Sequence, residues 1–139
     1  MATRRKKKPL THKQVAKRHS LALHSVHFGM FDFEIIFAVG PGKEIGDYVR
    51  WHMDDPTFDW EYSGQLGMHF HRRGKCPVVW LPRAPETAKE YGALAHELIH
   101  AVRHMFQDWA GMPHTADTDE AYAYAISHAM TTLLTKVAA

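Results

Sequence analysis

The chain has 139 residues, enough for one domain around a single modest core. No apolar run approaches the roughly 18 residues of a membrane span, and residues 21–30 make a poor signal-peptide core because His24, Ser25 and His27 interrupt them. Cys76 is the single cysteine, which excludes an internal disulfide and a cysteine-based zinc site. Any metal must therefore be held by histidine and carboxylate, and a cytoplasmic location is the simplest reading.

The formal net charge of +2 conceals an asymmetry. Arg4, Arg5, Lys6, Lys7, Lys8, Lys13, Lys17 and Arg18 all precede the first acid, Asp32. The remainder holds nine bases and fifteen acids. Residues 1–20 read as a basic, disordered arm on an acidic body formed by residues 21–139. Residues 4–18 imply a nucleic-acid or other polyanionic partner, the competing reading being a solubilising tail. Neither interleaved aromatics nor a clear helix-turn-helix specifies sequence recognition.

In chain order, residues 1–10 are expected to be disordered. Residues 11–24 have helical composition with sparse apolar points. Residues 26–39 alternate and are rich in Phe and Ile, which predicts strand, ended by Gly40-Pro41-Gly42. Residues 43–53 form a short helix, stopped before Pro56, and residues 57–62 are loop or strand. Residues 67–72 and 76–81 read as two strands joined by a turn at Arg73-Gly74-Lys75. A helix spans residues 87–107, and a last one residues 119–136, with Asp117 or Thr118 as its cap. The pattern predicts an α+β domain: a small antiparallel sheet beside two helices packed on each other.

The second-last helix carries His96-Glu97-Leu98-Ile99-His100, an H-E-x-x-H pattern. Residues four apart on a helix share a face, so two histidines can grip one ion. Glu97 leans toward the same site and can take a proton without ligating metal. The flanking Ala93-Leu94-Ala95 and Leu98-Ile99 suggest a half-buried helix, in which polar side chains need partners. This is the apparatus of a zinc hydrolase holding one Zn2+ ion.

A catalytic zinc takes three protein ligands and keeps an open position. Glu120, at the start of the last helix among small alanines, is the stronger candidate for the third, and a carboxylate there also suits the helix dipole. His114 is the rival. His104 continues the motif face one turn on, too far along to share a tetrahedral ion with both histidines, and is read as a supporting group. Arg103 and Phe106 stand where the metzincin extension needs Gly and His.

His96, Glu97, His100 and Glu120 resemble the motif of the gluzincin branch of zinc metallopeptidases. The small size is similar to minigluzincins and to the H-E-L-x-H peptidases of phages and mobile elements. The likeness covers about residues 76–128. It implies a minimal zincin-like fold, zinc on His96, His100 and Glu120, Glu97 as general base, and a strand Val78-Val79-Trp80-Leu81 acting as the edge on which an extended substrate pairs. Thermolysin-like enzymes carry an Asp four residues after the ligand Glu, where this chain has Tyr124, so the support of the ligand histidine must differ. A weaker resemblance is to SprT-like domains, in which His114 would replace Glu120 beside DNA.

The expected activity is peptide-bond hydrolysis by a zinc-activated water, with Glu97 passing the proton to the leaving amine. Tyr122, Tyr124, His114 and His128 are candidates for the oxyanion donor, Tyr124 being the nearer on the face of Glu120. The alternative is a non-catalytic, zinc-stabilised module that binds nucleic acid through the basic arm. Trp51, Trp60, Trp80 and Trp109 read as core or rim aromatics. His69 and His71 share a strand face and are expected to be solvent-exposed.

Overall fold

Hydrophobic alternation builds the centre of the molecule. A computed structural model of the protein describes residues 8–138. Strands β1 (Ala22–Phe28) and β2 (Phe33–Val39) form a hairpin, β3 (Met68–Phe70) and β4 (Val78–Leu81) a second antiparallel pair, and all four make one sheet in the order β1-β2-β4-β3. The turn between the last two strands holds Gly74 at φ 81°, a left-handed conformation that glycine adopts without steric cost.

Side chains alternate across the two central strands. Phe33, Ile35 and Phe37 of β2, with Val79 and Leu81 of β4, face one apolar cluster. Ile36 and Ala38, with Val78 and Trp80, face the other. Buried on both faces, these strands are apolar almost throughout, as inner strands must be.

Helices cover both faces. α1 (His12–Arg18) and α2 (Gly42–Met53) pack on the Trp80 side. α3 (Ala88–His104) and α4 (Asp119–Ala138) pack on the Phe37 side and against each other. Between them a single π-helical turn, Met105–Trp109, ends α3.

The α+β class is as the sequence predicts, and three details differ. First, the sheet is mixed, because β2 and β4 run parallel with Ile36 opposite Val78. The chain reaches β4 from β2 by a crossover through α2, and a crossover restores strand direction. Second, β4 is an inner strand, so the edge on the motif side is β3. Third, residues 26–39 are two strands with a turn at Gly29–Phe31, closed by Asp32 in the left-handed region at φ 47°.

The basic arm is also shorter than expected. Thr11 caps α1 in a capping box with Gln14, and Val15 and Ala16 are buried in the core. The folded body therefore starts before residue 21. The expectation for residues 1–7 lies outside the described residues. Among the described residues no helix is long and apolar enough to cross a membrane.

Candidate metal centre

The start of α3 is fixed by three groups. Thr87 Oγ1 accepts from the Glu90 backbone N–H, and Glu90 reaches back to the Thr87 N–H at 3.1 Å. Arg83 donates to both oxygens of the same carboxylate, at 2.6 and 3.1 Å. The guanidinium holds the Glu90 carboxyl down at about 2. Leu94, Leu98, Ala101 and Val102 then anchor one face of the helix in the core. The side of the same turns away from the core presents His96 and His100, with Glu97 between that side and the core face.

His96 Nε2 and His100 Nε2 lie 3.3 Å apart. Two nitrogens each about 2.0–2.1 Å from one tetrahedral zinc lie about 3.3–3.4 Å from each other. The pair therefore has the separation one ion requires. His96 is exposed and His100 half-buried, so the pair is open on one side.

Glu97 turns toward the sheet. A Cβ on Gly67 would stand 3.4 Å from Glu97 Cγ, so the glycine just before β3 leaves the carboxylate its room. The motif thus sits beside the edge strand, against which α3 packs.

The remaining expected residues are not gathered at this pair. Two groups of three His, Cys, Asp or Glu ligand atoms within 4.8 Å of one another occur among the described residues, and neither contains His96, His100 or Glu120. Glu120 is exposed in the first turn of α4. His114 Nε2 pairs with Asp119 Oδ1 at 2.6 Å. Tyr122 is buried, its ring stacked on Phe106 and its hydroxyl donating to the Met112 carbonyl at 2.7 Å. Tyr124 is 70% exposed and lines an apolar groove with Phe28, Met30, Phe31 and His128. That groove belongs to the β1–β2 turn and α4, and none of His96, Glu97 or His100 lines it.

What sequence reasoning missed is a ladder of imidazoles. The His69 ring on β3 lies 5.6 Å from that of His100 and 4.8 Å from that of His104, close to parallel with both. The His71 ring stacks on His104 at 3.4 Å. His69 is therefore sheltered rather than exposed, and its Nε2 is buried with no hydrogen-bond partner. Burial, helped by His104, His100, His71 and Arg103, pushes its pKa down to about 3, so this ring is neutral at pH 7. The signal was present in the His-x-His spacing of an edge strand preceding a helix with histidines at 96, 100 and 104.

The donor chemistry fits zinc through its two histidines, while the third donor is not in place beside them. Comparison with known proteins gives no match to a family model, a curated protein or a solved structure.

Proposed function

We propose that the chain is a zinc-dependent metallopeptidase of the H-E-x-x-H kind, similar to gluzincins, in which His96 and His100 hold the metal and Glu97 is the general base. The observation that carries this reading is the 3.3 Å separation of the two Nε2 atoms, with Glu97 on the adjoining helix face. Glu120 is assigned as the third donor because it starts the helix that packs on α3, and its exposed carboxylate has rotatable bonds with which to move. The single cysteine leaves the metal to nitrogen and oxygen donors and suits a reducing compartment such as the cytoplasm.

Bound zinc supplies a Lewis acid and a water of lowered pKa. Glu97 accepts a proton at its carboxylate and returns it to the leaving amine. Gly67 keeps that carboxylate close to the sheet edge. The substrate is an extended peptide, which adds to the free edge of β3 through main-chain hydrogen bonds and so lies along α3. Tyr124 is the assigned oxyanion donor. It lines the groove of the β1–β2 turn, across the sheet from β3, so its role requires movement of α4 as well as of the side chain, and Tyr124→Phe tests it with zinc binding as the control.

The deciding experiment combines elemental analysis with a peptide-hydrolysis assay on wild type, His100→Ala, Glu120→Gln and Glu97→Gln. Zinc is expected in the wild type, lost with His100→Ala, weakened with Glu120→Gln and kept in Glu97→Gln, which loses hydrolysis. Full activity in Glu97→Gln would sink the reading. A second reading rests on Lys13, Lys17 and Arg18, exposed on α1 around its buried Val15 and Ala16. They suit a nucleic acid or other polyanion, and binding to DNA should then weaken steeply with salt.

A further inference from the structure

We propose that His71, His104 and Asp108 form a second metal site, for a divalent transition ion such as zinc or cobalt, one helical turn beyond the first. One ligand atom from each of these residues lies within 4.8 Å of the others. They come from three segments that are separate in local structure: the residue after β3, the last residue of α3, and the π-helical turn. His104 Nδ1 lies 2.6 Å from Asp108 Oδ2, and His71 Nε2 lies 3.4 Å from the same oxygen.

Ligands about 2.0–2.2 Å from a tetrahedral ion stand about 3.3 Å apart. The His71–Asp108 distance already meets that spacing, and the His104–Asp108 contact needs to open by less than about 1 Å. Two imidazoles and one carboxylate are a donor set suited to zinc, cobalt and nickel rather than to calcium or magnesium, which prefer oxygen. Coordination positions beyond these three donors face solvent, since His71 and Asp108 are both exposed.

The surroundings are built to hold the cluster. His69 stacks on His104 from the sheet side and is itself sheltered. Trp109, next to Asp108, donates from its indole N–H to the Phe31 carbonyl at 2.6 Å, pinning the π turn to the β1–β2 turn. A π turn inserts an extra residue into the helical register, and such turns recur at functional sites. Here it ends α3 with Asp108 against two histidine rings. The alternative is an ion pair in which Asp108 bridges protonated histidines. A surface pair of that kind gains little. A bound ion would be held once the exposed His71 ring turns out of its stack on His104, because the in-plane lone pairs of parallel rings do not converge on one ion. It would tie the edge strand to the end of the motif helix, and hence stiffen the side of the first site that carries β3.

The test is titration of the full chain with cobalt(II) and with zinc, read by calorimetry and by elemental analysis after dialysis. Two equivalents are expected for the wild type. His71→Ala and Asp108→Asn should each lose one, and the double variant His96→Ala/His100→Ala should lose the other while still binding one. His71 and Asp108 are exposed, so these variants should fold, which far-UV circular dichroism checks. If His71→Ala and Asp108→Asn bind as many equivalents as the wild type, with unchanged affinity, the second site does not exist. Retention of metal in the double variant together with its loss in Asp108→Asn would support this site even if the peptidase reading failed.

Discussion

The two faces of the sheet treat histidine in opposite ways. On the α2 side, His52 is buried and pairs through Nε2 with the Cys76 carbonyl at 2.7 Å, His12 meets the Tyr48 hydroxyl at 3.0 Å, and His19 meets Glu44 at 3.1 Å. Each ring has a protein partner that accounts for its place. On the α3 side, the polar contact of His96 and His100 is with each other, and His69 Nε2 has no partner. Equal residue types in equally folded surroundings differ in whether the protein alone satisfies them. The proposed zinc site rests on that unpartnered cluster.

The sharpest way to break that comparison is to remove one histidine from each face and read metal binding. His100→Ala should abolish tight zinc binding at the first site, a loss of more than about a hundredfold in affinity, because only one motif histidine remains. His52→Ala should leave zinc stoichiometry unchanged and instead lower stability by about 1–3 kcal/mol, as the Cys76 carbonyl loses its partner. Elemental analysis and urea denaturation on the same preparations decide it. Zinc loss in His52→Ala would mean the two faces are not distinct.

Packing offers a second contrast. Trp80 is fully buried on the α2 side and donates its indole N–H to the Gly40 carbonyl at 2.9 Å. Leu98, one residue after Glu97, is fully buried on the other side. Trp80→Ala should cost about 3–5 kcal/mol and Leu98→Ala about 2–5 kcal/mol. The two should part in their effect on zinc. Leu98 sits between the motif histidines, so its truncation loosens the turn that aligns them, whereas Trp80→Ala should leave zinc affinity intact in any protein that remains folded.

The sequence carried some of this better than the rest, for physical reasons. α3 and α4 were legible because a helical apolar period survives along many residues, and the histidine pair because its spacing is set by one turn of one helix. The β1–β2 turn was hidden because Met30 and Phe31 are large apolar residues in a turn, and Met30 is 89% exposed. Sheet order was not legible at all: β2 and β4 are separated by 38 residues, and their parallel pairing comes from the path through α2. The same holds for the imidazole ladder, where His69 and His71 meet His100 and His104 only because β3 packs on α3. The expected donor set with Glu120 and Tyr124 joined residues on one helix face, but that face in the fold also borders the groove of the β1–β2 turn.

Acid should sharpen the contrast further. Burial holds the His52 pKa below its ordinary value, with His12 and Lys75 adding to the depression, Glu34 and the Cys76 hydrogen bond opposing it. The unfolded chain then binds a proton at a higher pH than the folded one. Stability is complete above about pH 6.5 and falls as pH drops below that value. Glu90, held down at about 2 by Arg83, acts lower on the scale. Its contribution is present above about pH 4.5 and is lost as pH falls from there toward 2. Urea midpoints measured from pH 8 to 3 should show both windows. His52→Gln should reduce the first, with His69 keeping its own share of that window, and Arg83→Ala should reduce the second, with the smaller change because Arg83 is exposed.

The finest test concerns Glu97 and the room Gly67 leaves it. A Cβ at Gly67 would lie 3.3 Å from Leu81 Cδ2 and from the Trp80 carbonyl oxygen, and 3.4 Å from Glu97 Cγ. These contacts are tight but not prohibitive, and Glu97 is the neighbour most able to yield, being a flexible chain on a half-buried helix face. Gly67→Ala should therefore cost about 1 kcal/mol or less in stability, since alanine also restricts the unfolded chain. It should keep zinc, because the nearest atoms to that position belong to Leu81, Trp80 and Glu97. Its effect belongs to Glu97, the proposed general base: displacing a carboxylate by a few tenths of an ångström should lower peptide hydrolysis several-fold with KM little changed. A variant that keeps zinc and full activity would show that Gly67 serves only the approach of β3 to β4. One that loses zinc would tie the glycine to the histidine pair instead.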